Sequence, residues 1–171
     1  MIANKYINNH LSAEREDCMI RKIVNGQEHT ELILADAKEK ADNKYMDRSP
    51  CLAIVHIGRS SDHTDQKIDF CHHVGVIPVL LQLSDDSADA TIVRSVINTL
   101  DKNDEIDGIV VSEENGCGLT KARNIGVYSY ISVHKDMNRQ CLTNLGGLMS
   151  GRCESSRSTV VAAIMELLEA S

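Results

Sequence analysis

Residues Cys51 to Gly58 read CLAIVHIG, a short apolar run that ends in glycine. Two similar runs follow along the chain, at Val76 to Leu83 and at Ile109 to Val111. Short apolar runs bounded by glycine or polar turns are typical of strands buried on both faces of a parallel sheet. We therefore predict three such strands, the first spanning Leu52 to Ile57. Pro78 cannot donate a backbone hydrogen bond, so the second strand is predicted to lie toward an edge of the sheet.

Helical patterns lie between and around these runs. The clearest begins near Ser87 and places five apolar residues on one stripe: Ile92, Val93, Val96, Ile97 and Leu100. A second runs from His29 to about Met46, with Leu34, Ala37 and Ala41 on one face, and a last one follows the segment ESSRS, with Val160, Ile164, Leu167 and Leu168. Alternating strands and helices predict an α/β fold, with three layers and a short parallel sheet between helices. Residues 1–22 are predicted to be an appendage, and residues 23–171 to form one domain.

Composition excludes several classes of partner. The 171 residues are 42% hydrophobic and carry a net charge of -7, with the basic residues scattered, so neither nucleic acid nor an acidic membrane surface is expected to bind. No apolar run approaches the roughly 20 residues that cross a bilayer, and membrane insertion is not expected. The six cysteines show no C-x-x-C pair, which favours an intracellular reducing compartment, either the mitochondrial matrix or the cytosol.

Two short motifs could hold ligands. The stretch NGCGLTK, with Gly116 and Gly118, could cradle a phosphate or form a plain turn; it lacks the third glycine of a dinucleotide fingerprint, and the Walker spacing is wrong. Cys117 within it could be a reactive thiol or an inert surface cysteine. Four histidines could suggest a metal site: His56, His63, His72 and His73. We expect these side chains to be solvated or to cap helices. Adjacent residues on a helix point about 100° apart, so the Cys71–His73 stretch cannot give one metal ion two ligands, and no metal is predicted.

The order of segments from about Ile23 onward resembles the N-terminal catalytic domain of the methylenetetrahydrofolate dehydrogenase/cyclohydrolase family. The resemblance covers most of the chain, and it rests on several short segments together: KIVNGQE, CLAIVHIG, FCHHVGV, EIDGIVVS, HKDMNRQCLTNLGGL and AAIMELL. No G-x-G-x-x-G follows a strand, so a Rossmann cofactor domain, a bound cofactor and hydride transfer are not expected of this chain.

The resemblance also assigns site positions. The family's Tyr-Val-x-x-Lys segment places Lys67 on the catalytic lysine and His63 on the tyrosine. Ser112 stands at the glutamine that supports this lysine, and Asn138 at the aspartate that contacts the pterin ring. Arg139 follows where the family has glycine. The family's Pro-Cys-Thr-Pro segment becomes STVV, beginning at Ser158, and the loop after Gly58 is about three residues short.

These changes resemble the degenerate domain at the front of mitochondrial monofunctional formyltetrahydrofolate synthetases. They imply a pseudoenzyme, a catalytically impaired folate-enzyme-like domain retained as a structural or interaction module within a larger assembly. A residual methenyltetrahydrofolate cyclohydrolase with Lys67 as base, or a domain that binds folate without turnover, is the alternative. In the family a helix from the far end of the chain covers this sheet, so we expect an apolar face that a protein partner or self-association would cover.

Overall fold

The computed structural model describes residues 26–58, 62–84, 89–113, 126–151 and 157–169. The first 22 residues and the glycine loop that contains Cys117 lie outside these ranges, as does the helix start predicted near Ser87. In chain order the elements are α1 (Gly26–Lys44), β1 (Cys51–Ile57), α2 (Asp62–Val74), β2 (Ile77–Leu83), α3 (Ala90–Asp101), β3 (Gly108–Glu113), a 3₁₀ turn (Val127–Tyr130), α4 (Leu142–Met149) and α5 (Thr159–Glu169).

The three strands form one parallel sheet in the order β2-β1-β3. This confirms the predicted α/β fold and its short parallel sheet, and β2, which contains Pro78, lies at the predicted edge. The chain leaves β1 toward β2 on one side and returns to β3 on the other. Ligands of open parallel sheets bind at such a reversal, beyond the carboxyl ends of the strands, so the crevice between β1 and β3 is where a site is expected.

Alternate residues of the strands face two different helical layers. One face packs on α3 and forms the main core, in which Val93 and Ile97 contact the sheet; its other members include Ala53, Val55, Ile57, Ile109 and Val111. The opposite face of β1 carries Ile54 and His56, both fully buried, and lies under α2. Helix α1 packs against α2 in turn, with Leu34, Ala37 and Ala41 half-buried as the sequence predicted.

The outer edge of β3 is covered by an irregular segment. Ile109 donates its N–H to the carbonyl of Lys135 at 2.7 Å and accepts from the N–H of Met137 at 3.3 Å. The close approach requires glycine at the start of the strand, because a Cβ on Gly108 would lie 2.7 Å from the Cγ of Met137. No pattern in the sequence predicts this bridge, which places Asn138 beside β3.

An ion pair fastens the amino ends of β1 and β3. The Arg48 guanidinium donates to both carboxylate oxygens of Asp107 at 2.6 and 2.7 Å, and Asp107 also accepts from the N–H of Cys51 at 2.8 Å. The hydrogen bonds from Arg48 are the main reason that the pKa of Asp107 lies below its ordinary value. This end of the sheet is opposite to the crevice, so we assign the pair a structural role.

Replacing Asp107 by asparagine is expected to lower the free energy of unfolding by about 1 kcal/mol at neutral pH, since a hydrogen-bonded carboxylate is lost. Because the folded-state pKa is lowered, the contribution of Asp107 is fully present above the unfolded-state value of about 3.9 and is lost as the pH falls through the folded-state value. Urea unfolding at several pH values checks this: the difference from the parent should shrink below about pH 4. A gap of equal size at acid and neutral pH would contradict it, and the exposed Asp47→Asn serves as control.

Candidate functional site

The site predicted from the sequence lies at the carboxyl ends of β1 and β3. Lys67 projects from α2, and its ammonium donates a hydrogen bond to the hydroxyl of Ser112 on β3, with 2.9 Å between Nζ and Oγ. Ser112 is only 7% exposed, and Lys67 is half-buried. The structure therefore brings together a lysine and a serine that lie 45 residues apart in the chain.

The surroundings of Lys67 favour loss of its proton. Burial lowers the pKa of the Lys67 ammonium, because a charge is less well solvated beneath protein atoms than in water. Among the described residues, no carboxylate forms an ion pair with Lys67. Its described partner is thus a neutral hydroxyl, which does little to hold the proton on the amine.

A second polar pair lies beside this one. His56 pairs in register with Ser112 on the neighbouring strand, and its Nδ1 lies 3.1 Å from the Thr64 hydroxyl. Both His56 and Thr64 are fully buried. Thr64 precedes Lys67 by three residues on α2, which is nearly one helical turn. The expectation that the histidines are solvated or cap helices is wrong for His56, because β1 is the central strand and both of its faces are covered. The sequence offered one signal for this burial, which is the position of the polar His56 inside the apolar run of β1.

The other predicted positions are arranged differently. Asn138 is half-buried, and its amide nitrogen donates to the backbone carbonyl of Val111 at 3.3 Å, so this side chain extends the edge of β3. His63 lies exposed in the first turn of α2. His72 is likewise exposed while its neighbour Cys71 is buried, so the two point in different directions. Within the described ranges there is no group of three or more potential metal ligands among histidine, cysteine, aspartate and glutamate.

Asp136 is a buried acid that the sequence did not single out. Its Oδ2 accepts from the N–H of Cys141 at 2.8 Å and from the amide nitrogen of Asn144 at 2.9 Å. Cys141 is the N-cap of α4, and its sulfur accepts from the N–H of Asn144 at 3.4 Å. Asp136 therefore fixes the start of α4 relative to the segment that covers β3, and its role is structural.

Arg139 adopts a backbone conformation that favours glycine. Its φ angle is +56°, in the left-handed region that costs a residue with a side chain roughly 1 to 2 kcal/mol. Its guanidinium reaches the carbonyl of Val133 at 3.4 Å, which is a long hydrogen bond. The resemblance implies a glycine at this position, and the φ angle of Arg139 is one that glycine adopts without strain.

Replacing Arg139 by glycine is therefore expected to raise the free energy of unfolding by roughly 0.5 to 1 kcal/mol, since the relief of strain exceeds the added flexibility of the unfolded chain. Thermal unfolding followed by circular dichroism checks this as a rise of a few degrees in Tm. Arg139→Ala is the matched control, because it removes the same side chain and keeps the strain. Equal Tm values for the two variants would contradict this, because the relief of strain would then do no more than offset the added flexibility of the unfolded chain.

Comparison with known proteins points to one group of enzymes. The chain is 27% identical over 130 residues to the bifunctional protein FolD of Campylobacter hominis, a match that covers 70% of this chain and 43% of that protein. No protein-family model matches the chain.

Two solved structures share the fold. The bifunctional enzyme FolD, a methylenetetrahydrofolate dehydrogenase/cyclohydrolase from Campylobacter jejuni, superposes with a TM-score of 0.74 at 22% identity, over 87% of this chain and 53% of that one. A 5,10-methylenetetrahydrofolate dehydrogenase from the silkworm Bombyx mori gives 0.77 at 20% identity, over 87% and 51%. The chain thus has the fold of the FolD catalytic domain, and it spans about half the length of these relatives.

Proposed function

We propose that this chain is a FolD-like domain of folate one-carbon metabolism whose catalysis is impaired, and that it serves as a structural or interaction module. The observation that carries this proposal is the geometry of Asn138, whose amide nitrogen donates to the Val111 carbonyl. At the position where the resemblance implies an aspartate that binds the pterin, this chain has a neutral side chain that bonds to its own backbone. Without a charge-assisted hydrogen bond at that position, ligand affinity would be weaker by about 1.5 to 3 kcal/mol.

The changes at neighbouring positions support the same proposal. Serine is shorter than the glutamine that the resemblance implies beside the lysine, so Ser112 cannot reach a substrate atom as far from the strand. Arg139 adds bulk and positive charge next to Asn138. These changes fall on the same site, so they reduce turnover together while the core that holds the fold is intact.

Hydrolysis of a methenyltetrahydrofolate tests the proposal directly. We expect the purified chain to hydrolyse it at least 100-fold more slowly than a bifunctional FolD protein measured in parallel, since general acid–base catalysis contributes about 10² to 10⁴ in rate. The decrease of the methenyl absorbance is the readout, and the uncatalysed reaction in the same buffer is subtracted. A rate equal to that of the FolD protein would refute impaired catalysis.

A residual cyclohydrolase is the second candidate, and the Lys67–Ser112 hydrogen bond favours it. A lysine with a lowered pKa beside a hydroxyl keeps part of the arrangement needed to move protons as water attacks a methenyl carbon.

For a residual cyclohydrolase, Ser112→Gln should raise the hydrolysis rate about tenfold or more, because it restores the longer partner of the lysine. Ser129→Gln, at the exposed position of the 3₁₀ turn, is the control. A third outcome, binding without turnover, would be seen as folate binding by titration calorimetry with no hydrolysis.

Exposed apolar side chains support the interaction role. Val160 and Leu168 on α5 are 68% and 64% exposed, and on α4 Leu142 and Met149 are 74% and 90% exposed. Apolar surface of this kind is typical of a contact region, so we propose self-association or a protein partner there. Light scattering after gel filtration should show a mass above 18.9 kDa that falls toward it in Val160→Lys. Asn98→Lys, on exposed polar surface of α3, adds the same charge as a control. A monodisperse parent monomer would count against this role.

The cysteines support a proposal about the cellular compartment. The described cysteines at 51, 71 and 141 are free thiols, and burial is the main cause that raises the pKa of each. Thiols of this kind are compatible with a reducing compartment, and we propose the mitochondrial matrix or the cytosol. No helix among the described residues is both long and apolar enough to span a bilayer.

A further inference from the structure

The Lys67–Ser112 pair has a geometry that a folate-binding role does not require. The 2.9 Å between Nζ and Oγ is short enough for direct proton transfer between the two side chains. The serine lies on a strand and the lysine on a helix, so both are held by regular elements and not by loops. Groups placed on rigid elements keep the geometry needed for chemistry better than groups on loops.

The pair also differs from an ordinary structural contact of lysine. Lys67 is half-buried, and among the described residues no acid forms an ion pair with it. The buried Thr64 and His56 next to it bond to each other at 3.1 Å. Partial burial beside a neutral partner lowers the pKa of Lys67 and so favours the unprotonated amine, which is the form that can take a proton from a hydroxyl.

We propose that Ser112 and Lys67 form a nucleophile–base dyad that accepts an acyl group from a small activated ester or thioester. The Ser112 Oγ attacks the acyl carbon and the new O–C bond forms, while the hydroxyl proton passes to the Lys67 amine. The bond from carbon to the leaving group then breaks, and the ammonium returns the proton to the departing alkoxide or thiolate. Water then attacks the acyl carbon and gives a proton to the Lys67 amine, the Ser112 O–C bond breaks, and the ammonium returns the proton to Ser112 Oγ as the carboxylic acid leaves.

The location and exposure of the dyad define the class of acyl donor. Ser112 lies one residue from the carboxyl end of β3, at the reversal of strand order where α/β proteins bind ligands. Its 7% exposure admits a slender group such as formyl or acetyl and excludes a bulky acyl chain. His56 lies in register with Ser112 and is bonded to Thr64, so these two side chains make the floor of the site rigid.

Covalent labelling with methanesulfonyl fluoride, a serine reagent about as small as an acetyl donor, tests the dyad in the absence of any folate. The serine oxygen displaces fluoride from this reagent, and peptide mass spectrometry locates the adduct. We expect one adduct on Ser112, none in Ser112→Ala, and at least a 100-fold slower reaction in Lys67→Met, which is the low end of the range for a general base. The rate in the parent should rise with pH and level off below about 10.4, where an ordinary lysine loses its proton.

Matched variants separate this chemistry from reagent noise and from misfolding. Ser129→Ala and Lys38→Met change exposed residues of the same types and should leave the adduct on Ser112 unchanged. Circular dichroism checks that Ser112→Ala and Lys67→Met are folded. Ser112→Cys gives a second readout: its thiol should react with iodoacetamide faster than the thiol of the double variant that also carries Lys67→Met. Absence of an adduct on Ser112, an adduct on Lys67 instead, or equal rates with and without Lys67 would overturn the dyad. None of these results depends on methenyl hydrolysis or folate binding, so the dyad and the proposed function stand or fall separately.

Discussion

Replacement of Asp136 by alanine is expected to lower the free energy of unfolding by about 3 to 5 kcal/mol. The side chain is fully buried, and its Oδ2 accepts hydrogen bonds from the backbone of Cys141 and the amide of Asn144. Alanine removes the acceptor of the Cys141 N–H and leaves the Asn144 amide nitrogen with only its 3.4 Å contact to the Val133 carbonyl; each lost partner costs about 1 to 3 kcal/mol. Because α4 begins at this point, the substitution should also loosen the start of that helix, which hydrogen exchange at Leu145 would report.

Two further variants sharpen this experiment. Asp136→Asn keeps one oxygen for both donors and should cost about 1 kcal/mol, well below the alanine variant. In this variant the new amide nitrogen takes the place of Oδ1, and Oδ1 has no hydrogen-bond donor among the described residues. Asp104→Ala removes an exposed carboxylate from a nearby turn and should change stability by less than about 0.5 kcal/mol. Equal destabilisation by the asparagine and alanine variants would show that the carboxylate charge, and not the two hydrogen bonds, is what matters.

Ile97→Ala should destabilise the chain by about 3 kcal/mol, within the range of roughly 2 to 5 kcal/mol found for buried isoleucine. Ile97 is fully buried between α3 and the sheet, in the cluster that includes Val55 and Val111. Removing three carbon atoms there reduces apolar burial and leaves a cavity that neighbouring strands cannot close without breaking their register. Urea unfolding monitored by circular dichroism measures the change.

The same helix contains the control for this substitution. Ile92 is the same residue type five positions earlier, and it is 45% exposed. Ile92→Ala should cost under about 1 kcal/mol, because it creates no enclosed cavity and alanine is the better helix former. If both variants cost the same, the α3 layer would not be packed as the structure has it.

The strands were predictable because each is a short apolar run bounded by glycine or polar residues, although β2 is not buried as predicted, since Ile77 and Leu80 are exposed. The edge position of β2 followed from Pro78 alone. The main helix was predictable from its apolar stripe, although its N-cap is Asp89 and Ile92 faces partly outward. The bridge that covers β3 was not predictable, because its hydrogen bonds come from backbone atoms of an irregular segment whose side chains are mixed.

The site was predictable only in part. Lys67 and Ser112 came from a resemblance, since their spacing of 45 residues carries no periodic signal. The buried pair of His56 and Thr64 was missed because the hydrogen bond joins a strand to a helix, and burial of a histidine depends on which strand is central. Asp136 was missed for a similar reason. Its partners Cys141 and Asn144 come close to it only through the orientation of α4, which the sequence does not give.

The two borders of the sheet bear on how copies of this chain can aggregate. On β2 the N–H of Ile77 and the carbonyl of Leu83 are directed toward β1, so the outward positions alternate with these and include Pro78, which has no N–H to offer. On β3 the outward groups of Ile109 are taken by its neighbours in the covering segment. Each border therefore interrupts the ladder that an incoming strand would form, at Pro78 on β2 and at Ile109 on β3. We expect overexpressed material that loses solubility to form amorphous precipitate and not thioflavin-positive fibrils.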